Sequence, residues 1–88
     1  MSEQLVGKVT HYFGKPRVAA IEITNGELRV GDTIHIKGHT SDFTQRIDSM
    51  QIEHAPVECA KVGDSIGIQV AEHAHEHDQV YLVTPDGQ

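Results

Sequence analysis

Residues 18–38 alternate between apolar and polar positions with a period of two. Ala19, Ile21 and Ile23 share one parity and Glu22 and Thr24 the other; residues 33–37 repeat the arrangement, with Ile34 and Ile36 set against His35 and Lys37. That period predicts two strands, each with one buried face. Between them lie two turn signals, Asn25-Gly26 and Gly31-Asp32, built from residues that tolerate positive φ. Strand, turn, short apolar link, turn and strand is the order expected of a small antiparallel barrel.

The same pattern continues along the chain. In residues 5–13, Leu5, Gly7, Val9 and Phe13 fall on one face and Lys8 and Thr10 on the other, with Val6 and Tyr12 interrupting the alternation before Gly14-Lys15-Pro16 ends the run. Residues 43–53 change parity midway: Phe43 and Ile47 share one face, Met50 and Ile52 the other. One extra residue flips the face that follows, so a bulge near Asp48 or Ser49 is expected. Residues 54–64, with Pro56 and Gly63, read as a connection that packs Val57 and Val62 on the rim. Alternation resumes in residues 65–70, with Ile66, Ile68 and Val70 inward and Gly67 and Gln69 outward. In residues 79–84, Val80 and Leu82 oppose Tyr81 and Val83. No helical period and no tandem repeat is evident.

These runs predict an all-β fold, a small closed antiparallel β-barrel of about six strands. The chain has 88 residues, and a domain of that size buries only somewhat over about 60% of its unfolded surface. Closure suits that limit, because it removes sheet edges while enclosing one interior. A single domain over residues 1–84 is expected, with residues 85–88 as a loose C-terminal end.

Composition narrows the function classes. No run of ~18 apolar residues could span a membrane, and the opening residues lack the basic flank and apolar stretch of a secretory signal. A soluble, cytoplasmic protein without a membrane partner is expected. A single cysteine, Cys59, cannot form an internal disulfide, which suits a reducing compartment; it is expected to be small, structural and inert. The formal net charge is -6, from 13 acidic residues against 7 Lys and Arg. That balance opposes tight, salt-driven binding to phosphate backbones. The charges are nevertheless uneven: Lys8, Lys15, Arg17, Lys37 and Arg46 lie in the first half, while Glu53, Glu58, Asp64, Glu72, Glu76, Asp78 and Asp86 crowd the second.

Three ordered blocks resemble one family. Residues 18–38, VAAIEITNGELRVGDTIHIKG, are followed by residues 60–68, AKVGDSIGI, and by residues 77–81, HDQVY. Together they resemble the second domain of translational GTPases such as elongation factor Tu, and residues 40–45, TSDFTQ, with residues 49–51, SMQ, most closely resemble the small stand-alone elongation-factor-like proteins and the C-terminal barrel of collagenase-like peptidases. The resemblance implies a translation-protein β-barrel of about six strands. Two positions depart from the family pattern: Ile21 and His77 stand where glycines are usual. No G-x-x-x-x-G-K-[ST] phosphate loop is present, so neither nucleotide binding nor GTP hydrolysis is expected of this chain.

One stretch carries chemistry of its own. In an extended segment His73, His75 and His77 would project from one face at a repeat of ~6.5 Å, offering imidazoles to Zn, Cu or Ni. They are weak metal candidates, because three ligands on one strand seldom close a tetrahedral site without a fourth from elsewhere, and a solvated polar turn before the last strand accounts for them better. No nucleophile elbow, H-E-x-x-H or paired cysteine motif occurs, so no catalytic residue and no cofactor is expected. The expected function is a non-catalytic binding module. It would meet RNA or the ribosome through Lys8, Arg17, Lys37, His39, Gln45 and Arg46. The alternative is a protein-interaction barrel that docks onto an enzyme such as a collagenase-like peptidase, a role to which an acidic surface is also suited.

Overall fold

The structure, a computed structural model, describes residues 2–15 and 17–84. Ten strands follow in order: β1 (Ser2–Phe13), β2 (Val18–Ile23), β3 (Glu27–Arg29), β4 (Thr33–Lys37), β5 (Asp42–Arg46), β6 (Met50–Ile52), β7 (Ala55–Val57), β8 (Cys59–Lys61), β9 (Ser65–Gln69) and β10 (Gln79–Thr84). Eight of them form one sheet in the order β5-β4-β10-β1-β2-β9-β6-β7, and β3 pairs with β8 in a separate ribbon. Every ladder is antiparallel. The all-β expectation holds. The described residues contain no helix, and so none long and apolar enough to cross a membrane. The expected loose end at residues 85–88 lies outside the described residues.

The sheet packs over one core. Val9, Ile21, Ile23, Ile34, Ile36, Ile66, Ile68 and Val80 are buried and belong to a single apolar cluster. Those of β2, β4 and β9 are the inward parities expected, so the period of two placed them correctly; β10 instead buries Val80 and Val83, one of each parity. No ladder among the described residues joins β5 to the far side of the sheet. The long run of residues 43–53 instead divides, β5 pairing with β4 and β6 with β9. The parity change expected near Asp48 or Ser49 is real, but the chain leaves the strand over Ile47, Asp48 and Ser49 rather than making a single bulge.

The first strand corrects the sequence expectation. Leu5 and Phe13 are 40% and 50% exposed, while Val6 and Val9 are buried. The ladder to β10 shifts register between Leu5 and Gly7, and the ladder to β2 shifts between Val9 and His11. Each irregularity exchanges the two faces, so simple alternation fails twice in one strand. Gly7 sits where β1 and β2 approach closely: a Cβ there would run into the carbonyl oxygen of Glu22. In the connection, Val57 packs against the core as expected. Val62 does not, being 60% exposed, and Cys59 is exposed rather than a packed structural residue.

A duplication emerges that alternation did not reveal. Residues 28–36, LRVGDTIHI, and residues 60–68, AKVGDSIGI, share one pattern and one geometry. Gly31 and Gly63 have φ of 99 and 96. Asp32 Oδ2 accepts the Arg29 backbone N–H at 2.9 Å, and Asp64 Oδ2 accepts that of Lys61 at 2.8 Å. The return N–H of each aspartate donates to the carbonyl of the same residue, at 3.0 and 2.9 Å. Leu28 and Ala60 face each other in the β3–β8 ladder and both are fully buried. The copies are thus apposed and antiparallel, each leading into a core strand.

Candidate binding surface

The outward residues of β1, β2, β4, β5 and β10 form a cross-strand row. Glu22 pairs with Lys8, Lys8 with Gln79, Gln79 with Lys37, and Lys37 with Asp42. Lys8 and Lys37, separated in sequence, therefore share one face with Gln79 between them. Each has a carboxylate beside it: Lys8 Nζ lies 4.0 Å from Glu22 Oε1, and Asp42 stands across the ladder from Lys37. The row carries its two lysines either side of the neutral Gln79 and ends on a carboxylate at each side, so its charges balance.

Arg17, Gln45 and Arg46 gather elsewhere. Arg17 Nη1 donates to the Ala71 carbonyl at 3.0 Å. Gln45 Nε2 donates to the Gln69 carbonyl at 3.0 Å, and its Oε1 accepts the Ala71 N–H at 2.8 Å. Its amide thus acts as a stand-in peptide between β5 and the chain leaving β9. Arg46 borders the same shallow hollow, of about 360 Å³, together with Asp48, Ser49 and Val70. His39 is exposed in the turn between β4 and β5. The six residues named from sequence therefore form two groups and an outlier, and two of the six are engaged in holding backbone.

The histidine-rich segment is irregular rather than extended. Tyr12, His73 and His75 stack, with centroids 4.3 and 4.4 Å apart. His75 Nδ1 meets Ser41 Oγ at 2.7 Å, and its backbone N–H donates to the buried Asp78 Oδ2 at 2.8 Å. Asp78 presses on Gly38, where a Cβ would collide with the carboxylate. His77, in place of the usual family glycine, takes a φ of 72 while its N–H bonds to the Val9 carbonyl at 2.8 Å. Among the described residues no group of three or more His, Cys, Asp or Glu side chains is placed to hold a metal ion.

Two features were not legible as sites. His35, expected merely to point outward, is clasped on both ring nitrogens, Nδ1 at 2.8 Å from Glu3 Oε2 and Nε2 at 2.5 Å from Asp42 Oδ1. Its pKa is raised above the ordinary value, chiefly by the Asp42 hydrogen bond, with Glu3 adding to it against the opposing effect of burial. On the outer face of other strands, β2, β6 and β9 present a hollow of about 430 Å³. Val18, Ala20 and Gly67 floor it, Phe13 walls one side, and Gln51, Glu53 and His54 wall the other. Gly67 stands between Ala20 and Gln51 in the ladders.

The family model for elongation factor Tu domain 2 matches residues 17–82. The chain belongs to that family. The match takes in both V-G-D turns and all the strands after β1 except the end of β10. Among curated proteins, this elongation factor Tu domain 2 chain is 39% identical over 79 residues to an uncharacterized protease of Methanocaldococcus jannaschii, covering 89% of this chain and 19% of that protein. It is likewise 39% identical over 77 residues to a collagenase of Porphyromonas gingivalis, covering 86% of this chain and 21% of that one. The chain thus spans about a fifth of the curated relatives it matches.

Solved structures bear out the fold. The C-terminal domain of a Geobacillus thermoleovorans protein named as a U32 peptidase superposes with a TM-score of 0.85 at 19% identity, over 92% of this chain and 93% of that domain. GDP-bound aIF5B of Aeropyrum pernix superposes with a TM-score of 0.65 at 18% identity, over 94% of this chain and 14% of that one.

Proposed function

We propose that this chain is a non-catalytic interaction module of the elongation factor Tu domain 2 family that binds protein, serving a peptidase of the collagenase-like or U32 type. The observation behind this reading is the 39% identity that extends over most of the chain yet over only a fifth of its peptidase-named relatives. The surface chemistry favours it over the translation-associated, RNA-binding or ribosome-binding reading. Lys8 has Glu22 beside it, Arg17 and Gln45 hold the backbone around Ala71, and the net charge is -6. Phosphate binding needs cations free to displace counterions.

We infer that the sheet closes into a barrel. Only Ile47, Asp48 and Ser49 separate β5 on β4 from β6 on β9, and the Gln45 amide bridges the seam that no ladder closes. A rigid closed sheet suits a surface that docks without reshaping. A single exposed thiol, Cys59, favours a reducing compartment such as the cytoplasm as its location.

The test immobilises the chain and offers it two probes: the Methanocaldococcus jannaschii relative trimmed of its own matching residues, and total RNA. Retention of the trimmed protein, unchanged by nuclease and by a rise in salt, is the expected result. Retention of RNA that disappears on charge reversal at Arg17 and Lys37, with none of the protein, would overturn the reading.

A further inference from the structure

Gly67 has no structural reason to be glycine. It lies in the middle of β9, its φ is outside the left-handed region, and a Cβ there would meet nothing nearer than Val18 Cγ1, at an ordinary 3.5 Å. Glycine inside a strand weakens it, and where no bulge or bend calls for it, it suits a site that a ligand or another backbone approaches closely. The corresponding position in the first copy of the turn is His35, whose ring covers the outer face of β4. In the second copy the missing side chain leaves the floor of the hollow open.

The walls point the same way. Phe13 is 50% exposed at the rim. Opposite it, the β6–β7 hairpin is closed by Glu53 and His54 with φ of 51 and 66. Such a turn normally uses Asn-Gly or Asp-Gly. Two side-chain-bearing residues in left-handed conformations are strained, and strain of this kind collects at ligand clamps. The turn sets Glu53 and His54 at the rim, and Glu53 makes no ion pair among the described residues.

We propose that this hollow receives an extended segment of a partner polypeptide, seating one large apolar side chain between Phe13 and Gly67 with a basic residue beside it facing Glu53. The proposal rests on the protein-binding reading above and specifies its surface. An apolar anchor in a desolvated pocket is the usual centre of a protein interface. A chain of net charge -6 steers toward basic partners. Lys15 is the sole Lys or Arg in the lining, too little cationic charge for a phosphate backbone.

The test pans a phage-displayed random dodecapeptide library on the whole chain, with a single-stranded RNA dodecamer as a second probe. Enriched peptides should share a large apolar residue next to Lys or Arg. Their affinity should fall roughly tenfold or more for Gly67→Leu and for Phe13→Ser, and about threefold for Glu53→Gln. Gly67→Ala, whose Cβ the fold accommodates, should keep the native fold and weaken binding less than the leucine does, and the exposed Phe13 site guards against misfolding of the leucine variant. No enrichment, peptides that bind Gly67→Leu and Phe13→Ser as well as native, or RNA bound in the hollow in place of peptide would each overturn the proposal. Loss of the trimmed peptidase with peptide binding intact would remove only the peptidase reading. Retention of that peptidase by Gly67→Leu and Phe13→Ser without peptide capture would remove only the hollow.

Discussion

The two V-G-D turns are the same device put to different ends. Residues 28–36 and 60–68 share the left-handed glycine, the aspartate that caps its own turn, and a following pair of buried isoleucines, Ile34 and Ile36 or Ile66 and Ile68. Beside the conservative exchanges Arg29/Lys61 and Thr33/Ser65, they differ at Leu28 against Ala60 on the inside and at His35 against Gly67 on the outside. The first copy is clasped, its imidazole held by Glu3 from β1 and Asp42 from β5. The second is bare and floors a hollow. The turn fixes backbone path and inward facing, and leaves the outer face of the next strand free to be sealed or opened.

The inner difference is the most costly to erase. Leu28→Ala makes the first copy match the second at that position, and removes one of the larger fully buried side chains. The expected loss is about 2–5 kcal/mol, from transfer and cavity together, read by urea denaturation. A loss below about 1 kcal/mol would mean that the β3–β8 ribbon is peripheral to the core. The shared glycines come next. Gly31→Ala and Gly63→Ala each force an L-residue to a φ near 99 or 96, with an expected cost of about 1–2 kcal/mol apiece. Equal losses support the equivalence of the turns, and a difference above about 1 kcal/mol would break it.

Much of this plan was legible in residue order, and the failures have physical causes. Ile21, Ile34, Ile66 and Ile68 were placed inward by alternation because their strands are regular. Leu5 and Phe13 were misplaced because two register shifts reverse parity within β1. Cys59 flanks the buried Ala60 in a ribbon of three-residue strands, too short for a period to declare itself. The duplication is not a tandem repeat, because its copies lie 32 positions apart and differ at four of nine positions; the β3–β8 ladder brings them face to face. The family resemblance was readable from the same blocks. The clasp and the hollow were not, because Glu3 reaches His35, and Phe13 reaches Gly67, only through strand register.

The smallest effect concerns the clasp. A neutral imidazole has one N–H, and His35 has a carboxylate at each ring nitrogen, so the imidazolium alone donates to both. Its folded pKa is raised, first by the Asp42 hydrogen bond, while the Asp42 carboxyl is held below its ordinary value, first by the hydrogen bond to His35. A raised histidine stabilises fully below the unfolded value of about 6.5, and the gain is lost as pH rises through the folded value. A lowered aspartate stabilises above its unfolded value of about 3.9, and that gain is lost as pH falls through the folded value. The clasp therefore works in the window between those two titrations. His35→Gln should lower the melting temperature by a few degrees at pH 6, and the difference should fade at higher pH as the native ring loses its proton. NMR titration should show the His35 ring changing above about pH 6.5, and Asp42→Asn should bring it back toward that value. A His35 that titrates at the ordinary value, with a melting difference that does not vary with pH, would leave the two outer faces differing in shape alone.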